Sequence, residues 1–317
     1  METWLFDRSA QQGRLELTGR DRLDLLHRMS TNDLLKLKPG EGCSTVLTTA
    51  LARIIDRLIV YHRGETALAL ANQTETVRAW LQKHIFFQDQ VRLRNVSGEL
   101  GQLELQGPAA AAIAEQLAPG AAALALHHFV EVPDGQLLVA RTFGLVGDGF
   151  TLVMPAANLE QVKAAILARN AVMMGDEARY ESLRIQAGLP GPGHELTEDY
   201  IPLEANLWDS VSFSKGCYIG QEIIARMESR NRLAKTLVSL RLDGPVPLRT
   251  RLSDGEREVG TLTSVAVLDS GGVVALGFVK PDQAVPGTRL QAAGDGVSRA
   301  EAEVIAAPAI QANRQEK

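Results

Sequence analysis

The sequence predicts an α+β protein of two similar halves with antiparallel sheets, followed by a small all-β domain. Three observations predict it. Leu15-Glu16-Leu17-Thr18-Gly19 runs into Leu23, Leu26 and Met29 at helical spacing, and Leu103-Glu104-Leu105-Gln106-Gly107 runs into Ile113 and Leu117, so a short strand feeds a helix twice. Each pair is followed by strand patterns and one more helix pattern. From Thr236 onward only strand patterns occur, divided by Asp-Gly, Gly-Gly and Pro-Gly turns, as in a small barrel.

The elements follow in order. In the first half, strands are expected at 45–49, 54–60 and 66–71, then a helix from about Thr74 with Val77, Trp80, Leu81, His84 and Ile85 on one face. In the second, Pro108 opens a helix, strands are expected near 126–132, 137–143 and 149–154, and Asn158-Leu159-Glu160-Gln161 reads as a capping box with Leu159, Val162 and Ile166 facing inward. The run Gly144 to Gly149 is a hairpin connection, which makes the sheet antiparallel. These patterns divide the chain into units of about 1–98 and 99–185, a loop and helix over 186–235, a β domain over 236–305 with strands at 236–242, 257–266, 273–279, 288–291 and 301–305, and a frayed tail over 306–317.

Composition narrows the function. At 317 residues the chain can bury large cores without staples, and its two cysteines are no disulfide framework. A net charge of −5 with mixed signs argues against a nucleic-acid surface, which needs a basic stripe. Without a signal-like start or an apolar run of membrane length, the expected location is the cytoplasm, with no membrane partner.

Between 186 and 216 periodicity lapses into Gly188-Leu189-Pro190-Gly191-Pro192-Gly193-His194-Glu195 and then Pro202-Leu203-Glu204-Ala205-Asn206, a long loop of the kind that carries function. It leads to Lys215-Gly216-Cys217-Tyr218-Ile219-Gly220-Gln221-Glu222. Ile223, Ile224 and Met227 recur at helical spacing, so a helix starts near Gly220. Its amide end and the Lys215 ammonium would favour a Cys217 thiolate, making Cys217 the candidate functional thiol with Lys215 as its partner. Cys43 has no such signal and reads as structural. His127-His128, beside Phe129 and Val130 in an expected strand, reads as surface or satisfied histidine rather than metal ligand, and no metal site is expected.

The octapeptide, with Thr31-Asn32-Asp33, Arg53-Ile54-Ile55-Asp56, Leu105-Gln106-Gly107-Pro108, Leu183-Arg184-Ile185-Gln186-Ala187-Gly188 and Pro202-Leu203-Glu204-Ala205-Asn206-Leu207, resembles the YgfZ family. That family is related to the T protein, the aminomethyltransferase of the glycine cleavage system. The resemblance implies two ferredoxin-like α+β units and a C-terminal barrel around a central channel, with tetrahydrofolate or a derivative as cofactor. It carries over Glu204, since a pterin edge offers two adjacent N–H donors and a carboxylate accepts both. Asn72 would line the channel or merely shape a turn, and one of Arg226, Arg230 and Arg232 would hold the folate's carboxylate tail or belong to a solvated helix end.

Two departures stand out. The T protein has a catalytic aspartate shortly after the residue matching Asn72, whereas Asn72-Gln73-Thr74-Glu75-Thr76-Val77-Arg78-Ala79 has only Glu75, in a helix first turn. Ala52 stands where the family usually has glycine. The resemblance therefore implies a folate-binding protein that supports assembly or repair of iron–sulfur clusters in client enzymes, and indirectly tRNA modification, rather than a true aminomethyltransferase. The alternative is a tetrahydrofolate-dependent one-carbon transferase or oxidase. A single cysteine cannot hold a cluster, so contact would be shared with a partner (a client or assembly protein) or a dimer mate, or the thiol would act transiently on a damaged cluster.

Overall fold

Near-continuous burial along β-strands covered on both faces builds the first half of the protein. The computed structural model describes residues 2–132, 136–169, 171–230, 233–255, 257–293 and 299–306. The chain forms two compact units, one comprising the residues up to Thr48, Ile55–Glu177 and Ser210–Ile219, the other Thr49–Ile54, Ala178–Asp209 and the chain from Gly220 onward.

The first unit contains, in order, β1 (Thr3–Asp7), β2 (Gly13–Thr18), α1 (Arg22–Met29), β3 (Gly42–Thr48), β4 (Ile54–His62), β5 (Thr66–Ala71), α2 (Thr74–Lys83) and β6 (Arg92–Asn95). It continues with β7 (Leu100–Gly107), α3 (Ala110–Leu117), β8 (Phe129–Val132), β9 (Leu137–Thr142), β10 (Asp148–Pro155), α4 (Leu159–Leu167) and β11 (Val172–Met174). One sheet has the order β3-β4-β5-β2-β6 and the other β11-β1-β7-β10-β9-β8. Leu15, Leu17, Leu25, Leu26, Val77 and Leu81 bury one face of the first sheet under α1 and α2. Leu103, Leu105, Ile113, Leu152 and Ile166 do the same for the second sheet with α3 and α4. The remaining faces meet through Tyr61, Leu68, Leu70, Phe129, Leu138 and Val153, with the rings of Tyr61 and Phe129 edge to face at 5.4 Å.

The first residues, grouped by sequence with the unit of about 1–98, form a strand of the other sheet: β1 pairs antiparallel with β7 at Leu5↔Leu105 and parallel with β11 at Thr3↔Val172. Two further features, one in each half, depart from the sequence pattern. Edge strand β6 is largely exposed and carries Arg92 and Arg94, charges that suit an edge but hide the alternation. Asn158 precedes α4 without a side-chain cap and bonds Gln136 instead, so the capping box is not made. No helix among the described residues is long and apolar enough to cross a membrane.

The second unit holds α5 from Ala178 (the helix spans Glu177–Gln186), α6 (Gln221–Ser229) and strands β12 (Thr236–Leu242), β13 (Arg251–Ser253), β14 (Glu258–Val267), β15 (Val273–Val279), β16 (Arg289–Ala293) and β17 (Ala300–Ala306). The strands close into a barrel in the order β12-β15-β14-β13-β16-β17, filled by Val238, Leu240, Leu262, Ala275, Leu290 and Val304. Closure removes free sheet edges, and three-residue β13 completes it. The expected tail falls, beyond Ala306, outside the described residues.

A buried ion pair fastens the long loop to this barrel. Arg184 of α5 donates to Glu195 at 3.1 Å, to the Leu189 carbonyl at 2.6 Å and to Ser264 of β14 at 2.9 Å. Glu195, fully buried, also accepts from the Gly191 N–H at 2.8 Å and from the hydroxyls of Thr263 and Ser264. In the same unit Ala52 adopts φ +59°, a left-handed conformation that costs an L-residue about 1 kcal/mol or more and explains why glycine suits this position. Arg184→Met is expected to strand the Glu195 charge and cost about 3–5 kcal/mol of stability in urea unfolding. Glu181→Gln, which touches Arg184 from a partly exposed position, is expected to cost under about 1 kcal/mol.

Candidate functional site

The cysteine loop is pinned along its length and free at its tip. Ser210 accepts at its carbonyl from Thr31 Oγ1 at 2.6 Å and shares a hydroxyl bond with Ser44 at 2.7 Å. The Ser212 N–H reaches the Thr31 carbonyl at 2.9 Å, and Thr48 Oγ1 donates to the Ile219 carbonyl at 2.7 Å. Gly216 and Cys217 between these anchors are exposed. The helix expected near Gly220 is α6, and Gly220 enters it at φ +84°, which a side chain would resist.

Lys215 corrects the expectation attached to it. Its side chain is buried, and its ammonium donates to the carbonyls of His27, Ser30 (2.7 Å) and Asn32 (2.9 Å). Those three bonds use its three protons, and the acceptors lie at the C-terminal end of α1, where unsatisfied carbonyls and the helix dipole attract a cation. Burial pushes the ammonium down to about 8, opposed by Asp33 and by Cys43. Lys215 is thus a clasp holding the loop, and Cys43 lies half-buried against the first sheet's core.

Asn72 serves a carboxylate. Asp56 on β4, 2% exposed, accepts from the backbone N–H groups of Arg57, Asn72 and Gln73 and from Asn72 Nδ2, each at 2.8 Å. Burial raises its carboxyl above the ordinary range, against the pull of these donors. Asn72 therefore shapes the turn after β5. Glu75 pairs with Asn95 and Arg78 on the surface. Sequence reasoning passed over Asp56 as a buried acid, although an aspartate inside the apolar run Ile54-Ile55-Asp56 signals one. His127 is neither on the surface nor satisfied. It is 6% exposed at φ +65°, both ring nitrogens lack a partner, and burial, Arg57 and His128 push it down to about 3.

In the second unit Glu204 sits in the turn Pro202–Asn206 and is 3% exposed. The Leu237 N–H donates to its carbonyl at 2.9 Å, and Asn206 Nδ2 donates to the Leu237 carbonyl at 3.0 Å, so the turn is sewn onto β12. Asn206, at φ +58°, is a residue type that tolerates this left-handed position. Glu204 Oε2 accepts from the Ile201 N–H at 3.2 Å, while Oε1 has no hydrogen-bond partner among the described residues. Burial raises its carboxyl, with the Ile201 N–H, Lys235 and Arg53 pulling it back. Arg226 and Arg230 are exposed on and just after α6, and Arg226 is held by Glu222 one turn back at 2.6 Å. Arg232 lies outside the described residues. Among the described residues no group of three His, Cys, Asp or Glu side chains is arranged to hold a metal ion.

Comparison with known proteins agrees with this architecture. Residues 2–215 match the GCVT N-terminal domain. A putative chloroplastic transferase of Arabidopsis thaliana is 32% identical over 299 residues, covering 92% of this chain and 68% of the relative. The aminomethyltransferase of Geobacillus kaustophilus is 34% identical over 273 residues, covering 82% and 74%, and that of Listeria monocytogenes 34% over 276 residues, covering 82% and 73%. The crystal structure of glycine cleavage system aminomethyltransferase T from Bartonella henselae superposes with a TM-score of 0.83 over 97% of this chain and 86% of that one, at 24% identity. The fold is that of the T protein, two α+β sheets that are antiparallel apart from the parallel β1–β11 pair and a closed barrel, and the chain belongs to the GCVT N-terminal domain family of aminomethyltransferase-like proteins.

Proposed function

We propose that this protein binds a tetrahydrofolate and, through Cys217, supports assembly or repair of iron–sulfur clusters in client enzymes of the cytoplasm, as a YgfZ-type member of its family. The observation that carries the folate reading is the Glu204 carboxylate: buried, raised, and with one oxygen unused. A pterin edge supplies the adjacent N–H donors that such a group lacks, so the residues fit the cofactor. Bound folate would supply one-carbon or reducing chemistry. The chain's own part is to orient the ring through Glu204 and to present Cys217 on a loop clasped by Lys215. Asp56 and Asn72 support the fold of the first unit, and a carboxylate tail would be held by Arg230, or by Arg226 in exchange for its exposed Glu222 partner.

Aminomethyl transfer is the second reading, favoured by the names of relatives at 34% identity and by the presence of the buried acid Asp56. Against it, both Asp56 oxygens already accept protein N–H groups, and proton transfer in catalysis needs a carboxylate free to take the proton.

Glu204→Ala is expected to weaken tetrahydrofolate binding by about 2 kcal/mol or more in calorimetry, and unchanged affinity in a folded variant would remove Glu204 from the site. Because burial raises the folded-state carboxyl above its ordinary 4.5, the folded protein binds more protons than the unfolded one just above that pH. Stability from this group therefore falls as pH rises through that window, and Glu204→Gln is expected to flatten the fall in melting curves taken without folate.

Deleting the gene is expected to lower the activities of several iron–sulfur enzymes, and Cys217→Ser is expected not to restore them. Full rescue by that variant would end the role of this cysteine. With lipoyl carrier protein, its aminomethylated intermediate and tetrahydrofolate, no methylene-tetrahydrofolate above background is expected; robust turnover would establish the second reading instead.

A further inference from the structure

The barrel unit holds two adjoining hollows, of about 320 and 270 Å³, that share Tyr200 and Thr261 as a common wall. Gly193, Asp199 and Arg249 line the first, and Lys235, Glu258 and Lys280 the second. We infer that together they form a site for a small dianion, one anionic group held by Lys235 and Lys280 and the other by Arg249, with the body of the ligand crossing Tyr200.

The wall is rigid. The Tyr200 ring stacks on Phe278 at 3.5 Å and 9°, and the Lys235 ammonium lies 4.4 Å from the Tyr200 centroid. Beside it, Thr263 is locked to buried Glu195, which Arg184 holds in turn. Such a support keeps a site in one shape before anything binds.

The charges do not balance within the hollows. Arg249 and Lys280 have no ion pair or side-chain hydrogen bond among the described residues, and Lys235 bonds only the Asp199 carbonyl, at 3.3 Å. Glu258 is already paired with Arg251 at 3.2 Å, which leaves Asp199 as the lining carboxylate without a salt bridge; Glu204 draws on Lys235 from outside the lining, so among the described residues Arg249 and Lys280 are the cations left without a counter-charge. Arg249 stands at φ +65°, a left-handed conformation that costs free energy and persists only where the surrounding chain holds it. Gly193, at φ +75°, leaves the first hollow open, with no atom within 4 Å of where a Cβ would sit. Each hollow alone is at the small end for a metabolite, and the pair suits a molecule with two acidic ends. The cations select acceptors while Glu204 selects donors, so this site goes beyond the folate reading and stands without it.

Calorimetry on the full chain tests the site with two probes, inorganic pyrophosphate for phosphate ligands and citrate for carboxylate ligands. Saturable one-to-one binding of at least one probe is expected, and the probe that binds assigns the class. Arg249→Gln and Lys280→Gln, both at exposed positions, are each expected to weaken that binding about tenfold while leaving the melting temperature and tetrahydrofolate affinity in place. Absence of saturable heat with both probes, or affinity unchanged in both variants, would overturn the inference. Loss of tetrahydrofolate binding in Glu204→Ala with anion binding intact would separate the two sites.

Discussion

The charge pair Arg184–Glu195 is what the second unit depends on. A glutamate with no solvent exposure is tolerable only because a guanidinium, two hydroxyls and a backbone N–H surround it, and an arginine so buried is tolerable only because carboxylates, a carbonyl and a hydroxyl receive it. Its members come from a helix, the following loop and a barrel strand, so forming it fixes all three. The Tyr200 wall and Glu204 both follow within ten residues of Glu195. Ordinary hydrophobic packing would hold these pieces together without setting their register; directional bonds to a planar guanidinium set it.

The first unit solves a similar problem with a lysine. A flexible loop bearing an exposed thiol would be poorly placed for selective chemistry, yet a loop packed tightly would hide the thiol. Three carbonyls at the end of α1 resolve this by taking the Lys215 ammonium, which anchors the chain two residues before Cys217 without covering it. The same helix end gains a cation that its dipole favours. One side chain thus caps a helix and shapes a loop.

Local patterns made most of the fold legible. Strand alternation at Leu15–Leu17 and Leu103–Leu105, and the apolar spacing after Gly220, translate directly into β2, β7 and α6 because they describe neighbours along the chain. What stayed hidden depends on partners far away. Strands β1, β11 and β13 are too short to carry a period, and α5 buries Leu183, Arg184 and Ile185 in succession, which no helical stripe anticipates. In the candidate site, Glu204 and Cys217 stood out through their surroundings in sequence, whereas the destination of Lys215, the burial of Asp56 and the unsatisfied ring of His127 are set by tertiary contacts that leave no local trace.

The placement of β1 has a consequence for synthesis. This strand sits between β7 and β11, so it is an interior member of its sheet, yet it is synthesised well before either of its partners. Its partner on one side is made only when β7 emerges and on the other only when β11 does, near the end of the unit. Throughout that interval Trp4, Leu5 and Phe6 have no sheet to join, and the loop that must close is long. The nascent chain therefore carries an apolar strand in waiting, a natural substrate for a chaperone at the tunnel exit, and the second sheet is completed late rather than in the order in which it is written.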